Sequence, residues 1–281
     1  NILYISMMAA VTLLSFNSCY DLDDMSHDPY GVTGSENAGG EINPEKPDDS
    51  RYADINLNYS VSKEDSVLYK KNLADAPATF RQFLYQGYYN DYQITTNLSH
   101  DIYAGFVANN QPKHAGKSPD YGYTDGWSAA RWRYFYTLRS AEYRDLLRSY
   151  KFNDTSEKYK NMFYITRIYY VFLALANTDT YGDMPFLEYA QAKVPETNNV
   201  AYDTQEKVYD AMFRMLEQAV DSINPSDASQ YKIDKDDICY FGNAEKWLRF
   251  ANSMRLRMAL RISNVAPERA KKEAEAALNN K

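Results

Sequence analysis

Cysteine is nearly missing from this chain: 281 residues contain two, Cys19 and Cys239. A small disulfide-framed fold is therefore excluded, and the chain must be held by an apolar core, which its length allows. Histidine is almost as scarce. His27, His100 and His114 fall in a tail or loops with no second ligand at metal spacing, which argues against a zinc centre. The chain has no GxSxG elbow, no phosphate-binding Walker loop and no dinucleotide fingerprint. Period-two patterns are rare, so a sheet protein is not expected. A basic face is lacking too, which leaves no electrostatic footprint for nucleic acid.

The residue in excess is tyrosine, 27 against 12 Phe and 3 Trp. So many phenols either pack amphipathic rings between helices or present them to a ligand. Charge is unevenly spread as well. Between Tyr20 and Ser50 the acids Asp21, Asp23, Asp24, Asp28, Glu36, Glu41, Glu45, Asp48 and Asp49 face one base, Lys46. That segment carries −8 of the chain's −7, and the remainder sums to +1.

The amino terminus opens with a charge-free, mostly apolar run from Ile2 to Phe16, followed by Asn17, Ser18 and Cys19. The run is shorter than the about 20 residues of a spanning helix and reads as the apolar region of a signal peptide whose basic start is not in the sequence. Phe16-Asn17-Ser18-Cys19 resembles a bacterial lipobox, in which the Cys is acylated after cleavage. The acidic Asp21, Asp23 and Asp24 that follow resemble the surface-export signal of lipoproteins in the Bacteroides group. The Gly- and Pro-containing stretch to Ser50 has no apolar periodicity and reads as a tether. The expected organisation is a signal peptide over 1–18, an acidic lipoprotein tether over 19–50 and a helical domain over 51–281.

Helical periodicity begins near Pro77, with Phe80, Phe83, Leu84, Gly87 and Tyr88 on one face. Trp132, Tyr136, Tyr143, Leu146 and Leu147 give an aromatic side to a helix over 127–150. Residues 159–176 are apolar nearly all round and demand central burial. Asp203-Thr204-Gln205-Glu206 reads as a capping box ahead of the stripe from Val208 to Ile223, which Asn224-Pro225 ends. A helix over 243–263 turns Trp247, Phe250, Ala251, Met254, Met258 and Ile262 inward, and Pro267 opens an Ala-rich last helix. The expected fold is all-α, built of antiparallel helix pairs, with long irregular loops near 93–126 and 178–202.

Four patterns bear on chemistry. Asp234, Asp236 and Glu245 stand at positions 1, 3 and 12 of a calcium-loop count, but the acid at position 5 and the Gly at position 6 are missing, so helix-capping acids are the preferred reading. The basic residues Lys246, Arg249, Arg255, Arg257 and Arg261 suggest either an anion surface or, preferably, a helix neutralised by neighbouring acids. Paired carboxylates are numerous, but glycosidase geometry cannot be taken from spacing. The loop from Asn97 to Trp127 interleaves Tyr103, Tyr121, Tyr123 and Trp127 with Asn, Gln and Asp. Flat rings beside amides and carboxylates suit sugar recognition, because the ring covers the apolar face of a pyranose while the polar groups bond its hydroxyls. The same rings could equally pin the loop to the helices beneath, and Trp127 fits the core better than the others.

Two segments carry a family resemblance. Arg167-Ile168-Tyr169-Tyr170-Val171-Phe172, followed by Tyr181-Gly182-Asp183-Met184-Pro185-Phe186, resembles the aromatic helix and Tyr/Phe-Gly-Asp-x-Pro turn of the SusD/RagB family of outer-membrane lipoproteins. Asp237-Ile238-Cys239-Tyr240-Phe241-Gly242, leading into Lys246-Trp247, Phe250-Ala251-Asn252-Ser253-Met254-Arg255 and Arg257, is similar to the same family's Asp-x-x-Tyr-x-Gly run and following helix, with Met254 in place of Leu. The resemblance extends from Cys19 to the end. It implies a tetratricopeptide-like scaffold and a longer chain, with a further carboxy-terminal portion expected. It also implies a non-enzymatic, cofactor-free lipoprotein anchored through Cys19 at the outer-membrane surface, where it partners a SusC-like TonB-dependent barrel and captures oligosaccharide or peptide. Related starch-binding members hold sugars on aromatic arcs. The family motifs quoted are scaffold motifs, so none of them designates a ligand residue; a surface glycoside hydrolase is the alternative from another class.

Overall fold

The helix that the sequence places at the centre is there. The structure, a computed structural model, describes residues 73–87, 92–108, 125–153, 157–192 and 199–279. In chain order its main helices are α1 (Ala76–Gly87), α2 (Ser140–Asn153), α3 (Lys160–Tyr181), α4 (Gln205–Ser222), α5 (Ala244–Arg261) and α6 (Pro267–Asn279). Each packs on the next, and α3 also touches α1 and α5. The expected all-α architecture of helix pairs is what forms. Among the described residues, the only β pairing is an isolated bridge between Met184 and Asp203.

α3 is buried on nearly every side because its sequence offers apolar or aromatic residues at almost every position; Ile165, Ile168, Tyr170, Val171 and Ala174 are all sealed. Each buried Ile or Val side chain contributes about 1.5–3 kcal/mol by leaving water. Tyr residues do much of the packing. Tyr170 stacks on Tyr143 of α2 with centroids 3.8 Å apart, and its hydroxyl shares a 2.9 Å hydrogen bond with Ser140. Tyr169 meets Phe83 of α1 edge-on and donates to the Leu84 carbonyl at 2.8 Å. Among the described residues, tyrosine rings thus fill helix interfaces, and hydroxyls such as those of Tyr143 and Tyr169 find backbone carbonyls there.

α2 does not start as a simple helix. Asp125–Ser128, Ala130–Tyr134 and a π-turn over Phe135–Arg139 lead into it. The wide turn buries Phe135 and Arg139, and Arg139 bonds the Gln82 carbonyl at 3.2 Å and Glu142 at 2.8 Å. Burial pushes the Glu142 carboxyl up to about 7, against the pull of Arg139.

Two expectations need correction. The stretches assigned to irregular loops are partly helical: a π-turn spans Gln93–Asn97, single-turn helices cover His100–Tyr103 and Leu187–Ala190, and α3 persists to Tyr181. A lone turn has no room for the apolar repeat that reveals a helix in sequence. The capping box also divides its labour differently. Thr204 is the N-cap of α4, accepting from Lys207 N at 3.3 Å. Asp203 instead accepts from Phe186 N at 2.9 Å and Leu187 N at 2.8 Å, capping Leu187–Ala190. Asp183 returns the exchange by accepting from Gln205 N at 2.8 Å. The Gly-Asp-x-Pro turn is thereby locked to the start of α4, and Gly182, at φ +77°, supplies the left-handed residue that ends α3.

The start of α5 is organised around one buried carboxylate. Asp237, 1% exposed, accepts from the backbone N–H of Cys239, Tyr240 and Gly242 and from the Trp247 indole at 2.8 Å. Asn243 caps the helix through Lys246 N at 3.0 Å. Gly242, at φ +75°, holds a conformation that side chains rarely adopt, and a Cβ there would press on the Ile233 carbonyl oxygen at 3.3 Å. The acids of the calcium count do not cap the helix: Asp236 lies 3.6 Å from Arg81 and Glu245 pairs with Arg249, while Asn243 is the cap and Asp237 holds the turn. The bases of α5 meet acids: Arg249 pairs with Glu245, Arg261 lies 3.6 Å from Asp179, and Arg255, itself buried, bonds Glu273 of α6 at 2.5 Å.

Candidate ligand-binding site

The described part of the aromatic loop, 92–108, folds on itself and against the helix that follows. Tyr103 N donates to the Ser99 carbonyl and Phe106 N to that of Asp101, each at 2.9 Å, and Gly105 takes φ +73° between them. The Tyr92 hydroxyl donates to Asp101 at 3.0 Å. Arg131, on Ala130–Tyr134, reaches across to the Thr95 carbonyl at 3.0 Å and Thr96 Oγ1 at 3.2 Å. Burial and the neighbouring Arg131 charge hold the His100 imidazole below its usual pKa, which keeps the loop base uncharged near neutrality.

With the backbone pinned in this way, a row of apolar groups remains in water. Tyr92, Tyr103 and Val107 are all exposed, and Phe106 is 81% exposed. Of the residues singled out from sequence, Tyr103 therefore joins Tyr92 and Phe106 on one short folded loop. Trp127 sits on Asp125–Ser128, half-buried and outside the core cluster. Tyr121, Tyr123 and the lipobox Cys19 lie outside the described residues.

A second aromatic group, which sequence reasoning did not identify as a site, lies next along the same helical run. Trp132 is met by Tyr181 edge-on at 5.4 Å, by Tyr136 at 4.8 Å and, in a stacked arrangement, by Tyr202 at 5.8 Å. Tyr136 in turn touches Tyr189 at 4.9 Å. The Tyr136 hydroxyl is spent on the Pro185 carbonyl, and that of Tyr181 on Ser128. Burial raises the Tyr136 phenol pKa first, with Tyr189, Tyr202 and Asp203 adding to it. Tyr181, Tyr189 and Tyr202 come from the stretch without apolar period, so only their type and number could have marked them.

Among the described residues no group of three His, Cys, Asp or Glu is placed to hold a metal ion, and no helix is long and apolar enough to cross a membrane. Among the described residues Glu142 is the carboxyl raised toward neutrality, chiefly by burial; it pairs with Arg139, and Asp145 adds to the rise.

The comparisons with known proteins agree on one relationship. The SusD-like family, described as Susd and RagB outer membrane lipoprotein, matches residues 54–281. Among solved structures, a chitin-binding SusD homologue from Flavobacterium johnsoniae is 30% identical with a TM-score of 0.61, the match covering 76% of this chain and 43% of that one. A SusD homologue from Parabacteroides distasonis is 29% identical at a TM-score of 0.62, covering 74% and 38%. A further structure, of a chitin-binding protein, is 30% identical at 0.58, covering 73% and 42%. No curated protein matches. The chain spans about two fifths of the length of these solved relatives. Carrying the aromatic helix, the Gly-Asp-x-Pro turn and the Asp237 hub on one scaffold of helix pairs, the chain belongs to the SusD-like family.

Proposed function

We propose that this chain is a glycan-binding lipoprotein of the cell surface that holds oligosaccharide and passes it to a SusC-like TonB-dependent outer-membrane transporter without cleaving it. One observation carries the reading: a loop whose backbone is fastened by Arg131 holds Phe106 in water and presents Tyr92 and Tyr103, 41% and 39% exposed, beside it. Exposing aromatic surface on a pinned loop is costly for the free protein and useful for stacking on a sugar, whose ring presents C–H groups to the aromatic face. Membership of a family described as outer-membrane lipoproteins supports the location. The relatives described as chitin-binding support a glycan as the ligand class.

Replacing Tyr103 by Ala is expected to weaken oligosaccharide affinity about three- to tenfold, the loss of one stacking contact. Titration calorimetry with chitohexaose reads this, with Tyr121→Ala and Tyr123→Ala as companion variants. Unchanged affinity in all three would remove the loop from the binding surface.

The organisation proposed ahead of the helical domain is a signal peptide over 1–18 and a tether over 19–50 attached to lipid through Cys19. Each methylene of the acyl chains buried in the membrane contributes about 0.8 kcal/mol. Cys19→Ala should abolish labelling by radioactive fatty acid and release the protein into the medium. Retention of the variant in the membrane fraction would contradict acylation as the anchor.

A further inference from the structure

The Trp132–Tyr202 stack is a second place where a flat ring is held open to water, and it differs from the loop in how it is built. Tyr202 is 64% exposed and its ring lies nearly parallel to Trp132, at an interplanar angle of 20°. One face of Tyr202 is therefore backed by the indole. Trp132 cannot swing away, because Tyr181 and Tyr136 wedge its ring and its backbone N–H donates to the Tyr181 hydroxyl at 3.3 Å. Tyr202 is tethered from its own side as well. Its chain neighbour Asp203 pairs with Met184 through backbone bonds of 3.1 Å in both directions. A tyrosine stiffened in this way loses little conformational entropy when a ligand covers its outer face.

The polar groups around the stack are of two kinds. The Tyr136 hydroxyl is committed to Pro185, whereas the hydroxyls of Tyr189 and Tyr202 make no hydrogen bond among the described residues. Asp203 spends Oδ2 on Phe186 N and Leu187 N, and its Oδ1 accepts nothing among the described residues. Tyr189 and Tyr202 thus each keep a phenol O–H that can donate, and Asp203 keeps one carboxylate oxygen that accepts.

We propose that Tyr202, backed by Trp132, is a second saccharide-stacking subsite that takes one pyranose unit on its outer face. The proposal rests on the glycan-binding reading and adds a subsite to it. A ring whose hydroxyls are all equatorial presents axial C–H bonds on both faces, so a gluco-configured unit matches the flat phenol face best.

The test is titration calorimetry of the full chain with chitohexaose and cellohexaose, both neutral and gluco-configured, comparing wild type with Tyr202→Ala, Tyr202→Phe and Tyr103→Ala. Tyr202→Ala should raise Kd about three- to tenfold for the hexaose that binds, whereas Tyr202→Phe, which keeps the ring, should stay within about twofold. Because Tyr202 is a surface residue, its melting temperature serves as the folding control. A second readout uses the wild-type chain alone: saturating hexaose should protect Tyr202 from nitration by tetranitromethane, followed by mass spectrometry. If Tyr103→Ala weakens binding while Tyr202→Ala does not and Tyr202 nitrates equally with and without hexaose, this subsite is refuted and the glycan-binding reading stands. If wild-type protein binds neither hexaose, the subsite falls together with the chitin-like ligand class.

Discussion

Asp237→Ala is expected to lower the stability of the helical domain by about 3–5 kcal/mol, a shift of roughly 6–20 °C in melting temperature for a domain of this size. The reason is the number of donors that one carboxylate satisfies. Three backbone N–H groups, of Cys239, Tyr240 and Gly242, and the Trp247 indole all converge on it, in a site 1% exposed. Removing the acceptor strands these donors and frees the turn that aims α5. The indole itself is central, since Trp247 packs edge-on against Phe80, Tyr169 and Tyr240. Asp237→Asn should fall between wild type and Ala, because the amide keeps one acceptor oxygen and points its N–H₂ at groups that are already donors. A thermal melt followed by circular dichroism separates the three proteins. Equal melting temperatures for wild type and Ala would show that the hub is not what holds the turn.

The second large effect belongs to the buried ion pair between α5 and α6. Arg255 and Glu273 are 5% and 3% exposed, with Nε and Oε2 2.5 Å apart. Glu273→Ala leaves the guanidinium buried with only Glu217 at 3.8 Å as partner, and an uncompensated buried charge costs about 3–5 kcal/mol. The loss should concentrate in α6, because its other strong tie is the Arg269 pair with Asp210 of α4. Amide exchange would then accelerate across 267–279 before the rest of the domain. The double variant Arg255→Met with Glu273→Leu should regain most of the loss, since it replaces the pair by apolar groups of similar size. If the single variant melts like wild type, the pair is solvated rather than structural.

Much of the scaffold was legible in sequence, and what was legible shares one property. The faces of α1, α4 and α5 repeat their apolar residues over several turns, and the burial of Phe80, Phe83, Met212, Met215, Leu216, Trp247 and Met258 follows that repeat. α3 was recognised for the opposite reason, apolarity all round. Single-turn pieces were missed because His100–Tyr103 and Leu187–Ala190 are too short to show a period. Asp203 was misassigned because the sequence places it beside Thr204, whereas the backbone bridge to Met184 turns it toward another helix.

The candidate site divides along the same line. Tyr103 was found because a ring among amides in a loop is conspicuous, and the structure shows what sequence spacing could not: Arg131, 28 residues further along the chain, fastens that loop. Trp132 reads as part of the aromatic side of its helix, and it does pack against the core, but it also meets Tyr202, which is 70 residues away in sequence. Contacts over such separations leave no local trace. The preferred reading of the α5 bases, a helix neutralised by neighbouring acids, agrees with Glu245, Asp179 and Glu273 facing Arg249, Arg261 and Arg255, although the sequence could not name those partners.

The central claim is that the chain captures sugar and leaves it whole. Electrophoresis of the full chain through a native gel containing glycol chitin, followed by sizing of the polymer recovered from the protein band, tests this directly. The account predicts a band retarded relative to a gel without polymer, and polymer of unchanged length. An unretarded band, or polymer shortened by contact with the purified protein, would contradict it.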